Sequence, residues 1–261
     1  MDAAEWVITH KAWLMALALP LFLWVGHRWP YATPPASGSP WRRLGRNLGL
    51  AGLNGGLSFL LVLPVTVWAA SQAPVWRPAG WQGAGGLMLD LLVLDAWLYV
   101  WHRANHAVPL LWRFHEIHHL DTRLDASTAL RFHLGEVVLG SLLRAGLIVL
   151  LGIPLASVLL FESLVLVFAL FHHSNLRLSQ GLERVLAWFI VTPSIHWVHH
   201  HAARADTDSN YSTLLSLWDR LLGSQSITRK SPGMPIGVPG HRDAALWQLL
   251  LRPFRALPGF R

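Results

Sequence analysis

The chain has 261 residues, 53% of them apolar and only 13% charged, about half the charged fraction of roughly 25% usual in soluble proteins, which points to an integral membrane protein. It has no cysteine, which excludes disulfides, iron–sulfur clusters and thiolate-bound zinc, so any metal must be held by nitrogen and oxygen. The net charge of +7 comes from nineteen arginines and two lysines against fourteen acids; in a membrane protein that excess orients the chain and does not imply nucleic acid.

Apolar runs predict membrane helices at about 12–26, 48–70, 86–101 and 137–171. No basic stretch precedes the first run, which argues against a cleaved signal peptide. The 27–47 connection carries Arg28, Arg42, Arg43 and Arg46, whereas 71–85 carries only Arg77, so the first connection is expected in the cytoplasm. Trp13, Trp29, Trp41, Trp68, Trp101 and Trp112 flank the runs as expected of interfacial belts. Gly52 and Gly56 form a GxxxG pair suited to close helix packing or present by chance in a glycine-rich span. The last run has 35 residues with Gly152-Ile153-Pro154 at its middle, and reads as a hairpin of two spans. Arg144 and Glu162 stand nine residues to either side of Ile153, at equal depth, and are expected to pair. The tail around Asp243–Phe254 reads as a helix on the cytoplasmic interface, or packed on the cytoplasmic part.

All of the fifteen histidines except His10, His27 and His241 fall between His102 and His201, mostly at the ends of apolar runs. His102 and His106 are an i, i+4 pair at the exit of the third run; His115, His118, His119 and His196, His199, His200 share the spacing HxxHH. On a helix such a triplet projects to both sides of one face and suits two neighbouring metals. With one ring from His172 or His173 there are nine imidazoles, about four or five per metal. With the arginine topology, every cluster falls on one side of the membrane. Asp95, two turns before His102, and Asp208 with Asn210 after the last triplet are candidates for orienting imidazoles, the latter two alternatively for a turn.

The series DAWLYVWHRANH, PLLWRFHEIHH, ALRFHLGE, FHHSNLRL, TPSIHWVHH and TDSNYSTLLSLWDRLLGS resembles, in order and spacing, the sterol desaturase and fatty acid hydroxylase superfamily of membrane di-iron oxygenases, over about Asp95–Ser224. The resemblance implies an all-α membrane protein of about four to five spans under a cytoplasmic histidine-rich cap. Its residues divide into N-terminal transmembrane helices (1–85), a hydroxylase-like di-iron domain (86–228) and an interfacial tail (229–261). It places the ligands of two irons on His102, His106, His115, His118, His119, His173, His196, His199 and His200. His173 takes the position in preference to His172 because it precedes Ser174-Asn175. His201 reads as accessory, and His133, three residues before Glu136, as a tenth ligand or an orienting group; Glu136, His172 and Asn175 are further candidates for orienting the rings.

Implied too are dioxygen and a lipid substrate (sterol, fatty acyl or related) that is hydroxylated or desaturated; the excess of arginine over lysine, for its part, points to a bacterial inner membrane. No GxGxxG dinucleotide fingerprint is present, so a separate donor, whether ferredoxin, cytochrome or reductase, is expected to supply electrons. A metal transporter or a metal-binding protein without oxygenase activity is the alternative; against transport, the clusters follow the spans instead of lying within them. A b-type cytochrome would use only paired axial histidines.

Overall fold

The computed structural model describes residues 3–33, 39–72, 77, 78 and 80–255. Apart from three isolated bridges, its regular structure is helical. α1 (Ala3–Arg28) is followed by α2 (Pro40–Leu57), which runs through one π-helical turn at Ser58–Val62 into α3 (Leu63–Ser71). Ser39 caps α2 by accepting from the Arg42 amide, with Pro40 in the first turn. α4 (Gly83–Ala107) leads into α5 (Pro109–His119), and α6 (Leu134–Leu151) and α7 (Leu155–His173) form a hairpin. Its turn is the expected one: Gly152 ends α6 in the left-handed region at φ 61°, which glycine adopts without a Cβ clash, and Pro154 opens α7. Short helices follow: α8 (Gln180–Leu186), α9 (Pro193–His199), α10 (Arg204–Thr207), α11 (Leu217–Leu221) and α12 (Leu246–Leu251).

Among the described residues, Pro40–Ser71, Gly83–Ala107, Leu134–Leu151 and Leu155–His173 are long and apolar enough to cross a membrane. The protein is an integral membrane protein with four candidate spans. α1 lies along α7, its Phe22 ring 6.0 Å from Phe171. Each span outruns its apolar stretch; α4 carries its register on through His102 and His106, where hydropathy alone ends the helix.

In lipid, apolar side chains gain little by meeting one another, so interlocking packing and internal polar pairs must hold the helices together. Leu94, Ala145, Ile148, Ile153, Val158 and Phe161 form the tight centre between α4, α6 and α7. Arg144 and Glu162 pair at 2.6 Å within the hairpin, as their equal depth predicts. Arg77 binds both carboxylate oxygens of Asp90 at 2.9 and 3.0 Å and donates to the carbonyls of Leu151 and Gly152, while Ser157 donates to the same Asp90. This latch joins the start of α4 to the hairpin turn at one end of the bundle.

The opposite end carries the histidines. The ends of α1 and α7 meet through Tyr31 N–H to Asn175 O and Arg177 N–H to Trp29 O. The start of α2 meets the segment after α5 through Arg43, which binds both oxygens of Asp121 at 2.7 and 2.6 Å and reaches Asp125. Arg43 is buried and Arg46 pairs with Asp243, so two of the arginines in the 27–47 connection are structural fasteners.

Other expectations are corrected. Among the described residues, neither Gly52 nor Gly56 has a neighbour within 4 Å of its Cβ position; within α2 the close approach is at Gly49, against Leu246. Trp101 is buried over Gly140, and Trp112 lies on His106 and His119, so neither joins the belt that Trp13, Trp29, Trp41 and Trp68 could form.

Candidate metal centre

The nine imidazoles singled out in the sequence converge at the histidine end of the bundle in two adjoining groups. His102, His106, His115, His119 and His199 form one, and His118, His173, His196 and His200 the other; within each, the candidate ligand atoms lie within 4.8 Å of one another. α5 serves both groups, because successive side chains on a helix turn by about 100°, so His118 points to one side of the shared face and His115 and His119 to the other. α9 divides its rings likewise, His199 to one group and His196 and His200 to the other. The groups adjoin through His119 and His200, whose ring centroids are 4.4 Å apart.

Hydrogen bonds around the cluster orient its lone pairs. His102 Nδ1 lies 2.7 Å from Tyr211 O, His199 Nδ1 2.7 Å from Ser209 O, His173 Nδ1 2.8 Å from Ala169 O and His115 Nδ1 2.9 Å from Glu136 Oε1. These partners are acceptors only, so each Nδ1 carries the proton and each Nε2 keeps a lone pair. The Nε2 atoms then face one another: His196 and His173 at 2.8 Å, His173 and His118 at 3.1 Å, His200 and His196 at 3.1 Å, His119 and His115 at 3.3 Å. Nitrogens bonded at ~2.1 Å to one ion stand about 3.0 Å apart at right angles and about 4.2 Å apart when opposite. Closing either group on a cation therefore takes shifts of some tenths of an ångström. Among the described residues, His199 Nε2 and both nitrogens of His106 are buried without a hydrogen-bond partner; a neutral imidazole has one lone-pair nitrogen, so each of these two rings has one lone pair to offer a metal.

Burial and then the neighbouring imidazoles hold His118, His119, His196 and His200 well below the ordinary histidine range. Burial likewise lowers His199, to about 3, although its bond to Ser209 opposes the shift. These rings are therefore neutral at neutral pH, the form that ligates metal.

The remaining candidates separate by what they touch. Glu136 accepts from His115 and from Asn105 Nδ2 at 3.2 Å, and so directly orients one ring. Asp208 lies 3.5 Å from His106 Nδ1 and also pairs with Arg204. His172 joins neither group; its ring is 4.0 Å from that of His196. His133 is neither ligand nor orienting group: Nδ1 accepts the Gly135 amide to cap α6, and Nε2 donates to Leu250 O at 3.0 Å, so no lone pair remains. Asp95 does not reach His102. Two turns put them on one face but about 10 Å apart along the axis; its carboxylate instead accepts the amides of Leu214 and Leu215 and the Trp218 indole at 2.8 Å.

Asn175 holds both backbone polar groups of Ala32, and Asn210, at φ 52°, binds Ser226 N and Ile195 O; neither touches an imidazole. His201 pairs with Asp206 at 2.7 Å outside both groups.

Sequence reasoning missed the 209–213 loop, whose carbonyls at Ser209 and Tyr211 fix two rings. Asp219 binds the amides of Tyr211 and Ser212, and Asp95 binds the next stretch. Backbone carbonyls leave no residue signature; Asp219, in Trp218-Asp219-Arg220, was the available signal.

A helical membrane protein with two buried polyhistidine groups is thereby defined. Residues 87–224 match the family described as Fatty acid hydroxylase, and the chain belongs to that family. Among curated proteins it is similar to the "Ornithine lipid hydroxylase OlsE" of Rhizobium tropici, 30% identical over 76% of this chain and 60% of the relative. It is 31% identical to an "Alkylglycerol monooxygenase" of Danio rerio over 55% of this chain and 31% of that protein. It is 26% identical to a "Cholesterol 25-hydroxylase" of Homo sapiens over 63% of this chain and 61% of that protein. The chain thus spans from about a third to three-fifths of these relatives' lengths. No solved structure matches significantly.

Proposed function

We propose that this protein is a membrane di-iron oxygenase that hydroxylates, or desaturates, a carbon–hydrogen bond of a lipid. The observation that carries this reading is the pair of adjoining five- and four-imidazole groups with inward-facing lone pairs. His102, His106, His115, His119 and His199 would hold one iron, and His118, His173, His196 and His200 the other. Two irons would supply the capacity to activate dioxygen and attack an unactivated carbon–hydrogen bond, which no amino-acid side chain has. In hydroxylation, lipid C–H, dioxygen, two electrons and two protons give lipid C–OH and water.

The chain's own part is to bind, orient and exclude. Tyr211, Ser209, Ala169 and Glu136 fix ring tautomers, while Phe132, stacked 4.8 Å from His118, and Trp112 wall the cluster with apolar surface. An acyl or sterol body dissolved among the spans could approach this end of the bundle without leaving the bilayer. The relatives' names all denote lipid-modifying enzymes, which supports a lipid substrate. The arginine-rich 27–47 connection supports a cytoplasmic position for the centre, accessible to a separate electron-donating protein in a bacterial inner membrane.

Metal analysis of the purified protein is expected to find two irons per chain without a haem Soret band. Lipid profiling of cells with and without the protein is expected to reveal a lipid that gains one oxygen or loses two hydrogens. A metal-free protein, or an unchanged lipid profile with iron and donor present, would refute the proposal.

A further inference from the structure

Glu116 lies between His115 and His118 in α5, about 100° round the helix from His115; it is fully buried and belongs to neither metal group. Its carboxylate binds Arg252 through Nη2 at 2.6 Å and Nε at 3.2 Å, and also binds His241 Nδ1. One residue on, the carbonyl of Ile117 accepts Arg131 Nε at 2.7 Å. The Arg131 guanidinium is itself buried and is bound through both terminal nitrogens by Asp243. Leu249 completes the contact by packing on Ile117, Leu120 and Leu50. Every one of these tail residues lies beyond residue 224, where the family match ends.

We infer that His241, Asp243 and Arg252 form a hydrogen-bonded clamp that fixes the rotation of α5 and thereby holds its three imidazoles in register with both metal groups. The inference rests on the two-metal reading. α5 is short, and it alone contributes His115 and His119 to one group and His118 to the other. At a ring-tip radius of about 5 Å, a helix rotation of about 20° displaces the tip by roughly 1.7 Å, most of a metal–nitrogen bond of ~2.1 Å. Glu116 projects about 100° round the helix from His115, off the imidazole face, so its bonds to Arg252 and His241 resist such a rotation in either sense. Without them a buried carboxylate would be unpaired, and turning α5 toward water would relieve it. His241, Asp243 and Arg252 are thus positioning residues.

The test compares full-length wild type, R252Q and E116Q/R252Q in detergent micelles, by metals per chain and by the rate of metal extraction by a chelator, with helical content read by circular dichroism. R252Q is expected to keep its helical content and lose both metals about 10- to 100-fold faster. E116Q/R252Q is expected to return the rate toward wild type, because the neutral amide that replaces the carboxylate needs no cation. R242Q, at an exposed arginine of the same segment, is expected to match wild type. If R252Q does not accumulate, H241Q and E116Q/H241Q replace the pair, with the same expectation. Two metals held by wild type and released at equal rates by the single variant would overturn the clamp alone, as would a double variant as leaky as the single. A wild type with only trace metal would overturn the two-metal reading and the clamp with it.

Discussion

Replacing Glu136 with alanine tests the one carboxylate, among the described residues, that hydrogen-bonds directly to a ring in either metal group. In the folded protein its Oε1 accepts from His115 Nδ1 at 2.9 Å and from Asn105 Nδ2 at 3.2 Å. E136A strands both donors in the interior, at a cost of about 1–3 kcal/mol for each that finds no substitute. It also removes what holds the His115 proton on Nδ1 and the Nε2 lone pair toward the cluster. Loss of such a partner typically lowers metal affinity about 10- to 100-fold, equivalent to roughly 1.4–2.7 kcal/mol. E136Q keeps a carbonyl acceptor at the same reach and should lose less. Chelator competition on purified wild type, E136A and E136Q measures the difference, with the five-ring group expected to empty first. E136A binding two metals within about twofold of wild-type affinity would refute the reasoning, since that lies below the range expected for an orienting partner.

Two further outcomes follow from the geometry. Reversing either Arg144 or Glu162 alone should destabilise the α6–α7 hairpin, by less than the ~3–5 kcal/mol of a fully buried pair because this one is part-buried, while R144E/E162R should recover most of it; equal unfolding midpoints in micelles for single and double variants would contradict the pairing. His133→Ala should cost about 0.5–2 kcal/mol through loss of the α6 cap and yet leave two metals per chain, because both ring nitrogens are already engaged; loss of one metal by elemental analysis would instead make His133 a ligand.

The amino-acid sequence by itself determined the helical membrane character, the hairpin at Gly152-Ile153-Pro154, the Arg144–Glu162 pair and eight members of the histidine cluster, the choice of His173 over His172 resting on the family resemblance. These are legible because they depend on local period and depth: an apolar run sets a span, glycine and proline set its turn, and imidazoles three and four residues apart share a helix face. Tertiary structure alone decided how the nine rings divide into five and four, and which groups orient them. Asp95 shows the limit, since shared helical face predicted contact with His102 but axial separation gave its carboxylate to the 214–218 segment. His133 shows it again, with its lone pair committed to the α6 cap and its N–H to Leu250, a residue 117 positions away. The carbonyls of Ser209 and Tyr211 and the charges of the tail reach the cluster only after distant segments fold together. Periodicity reports which face a side chain occupies, whereas which distant atom meets that face depends on how the helices and loops pack.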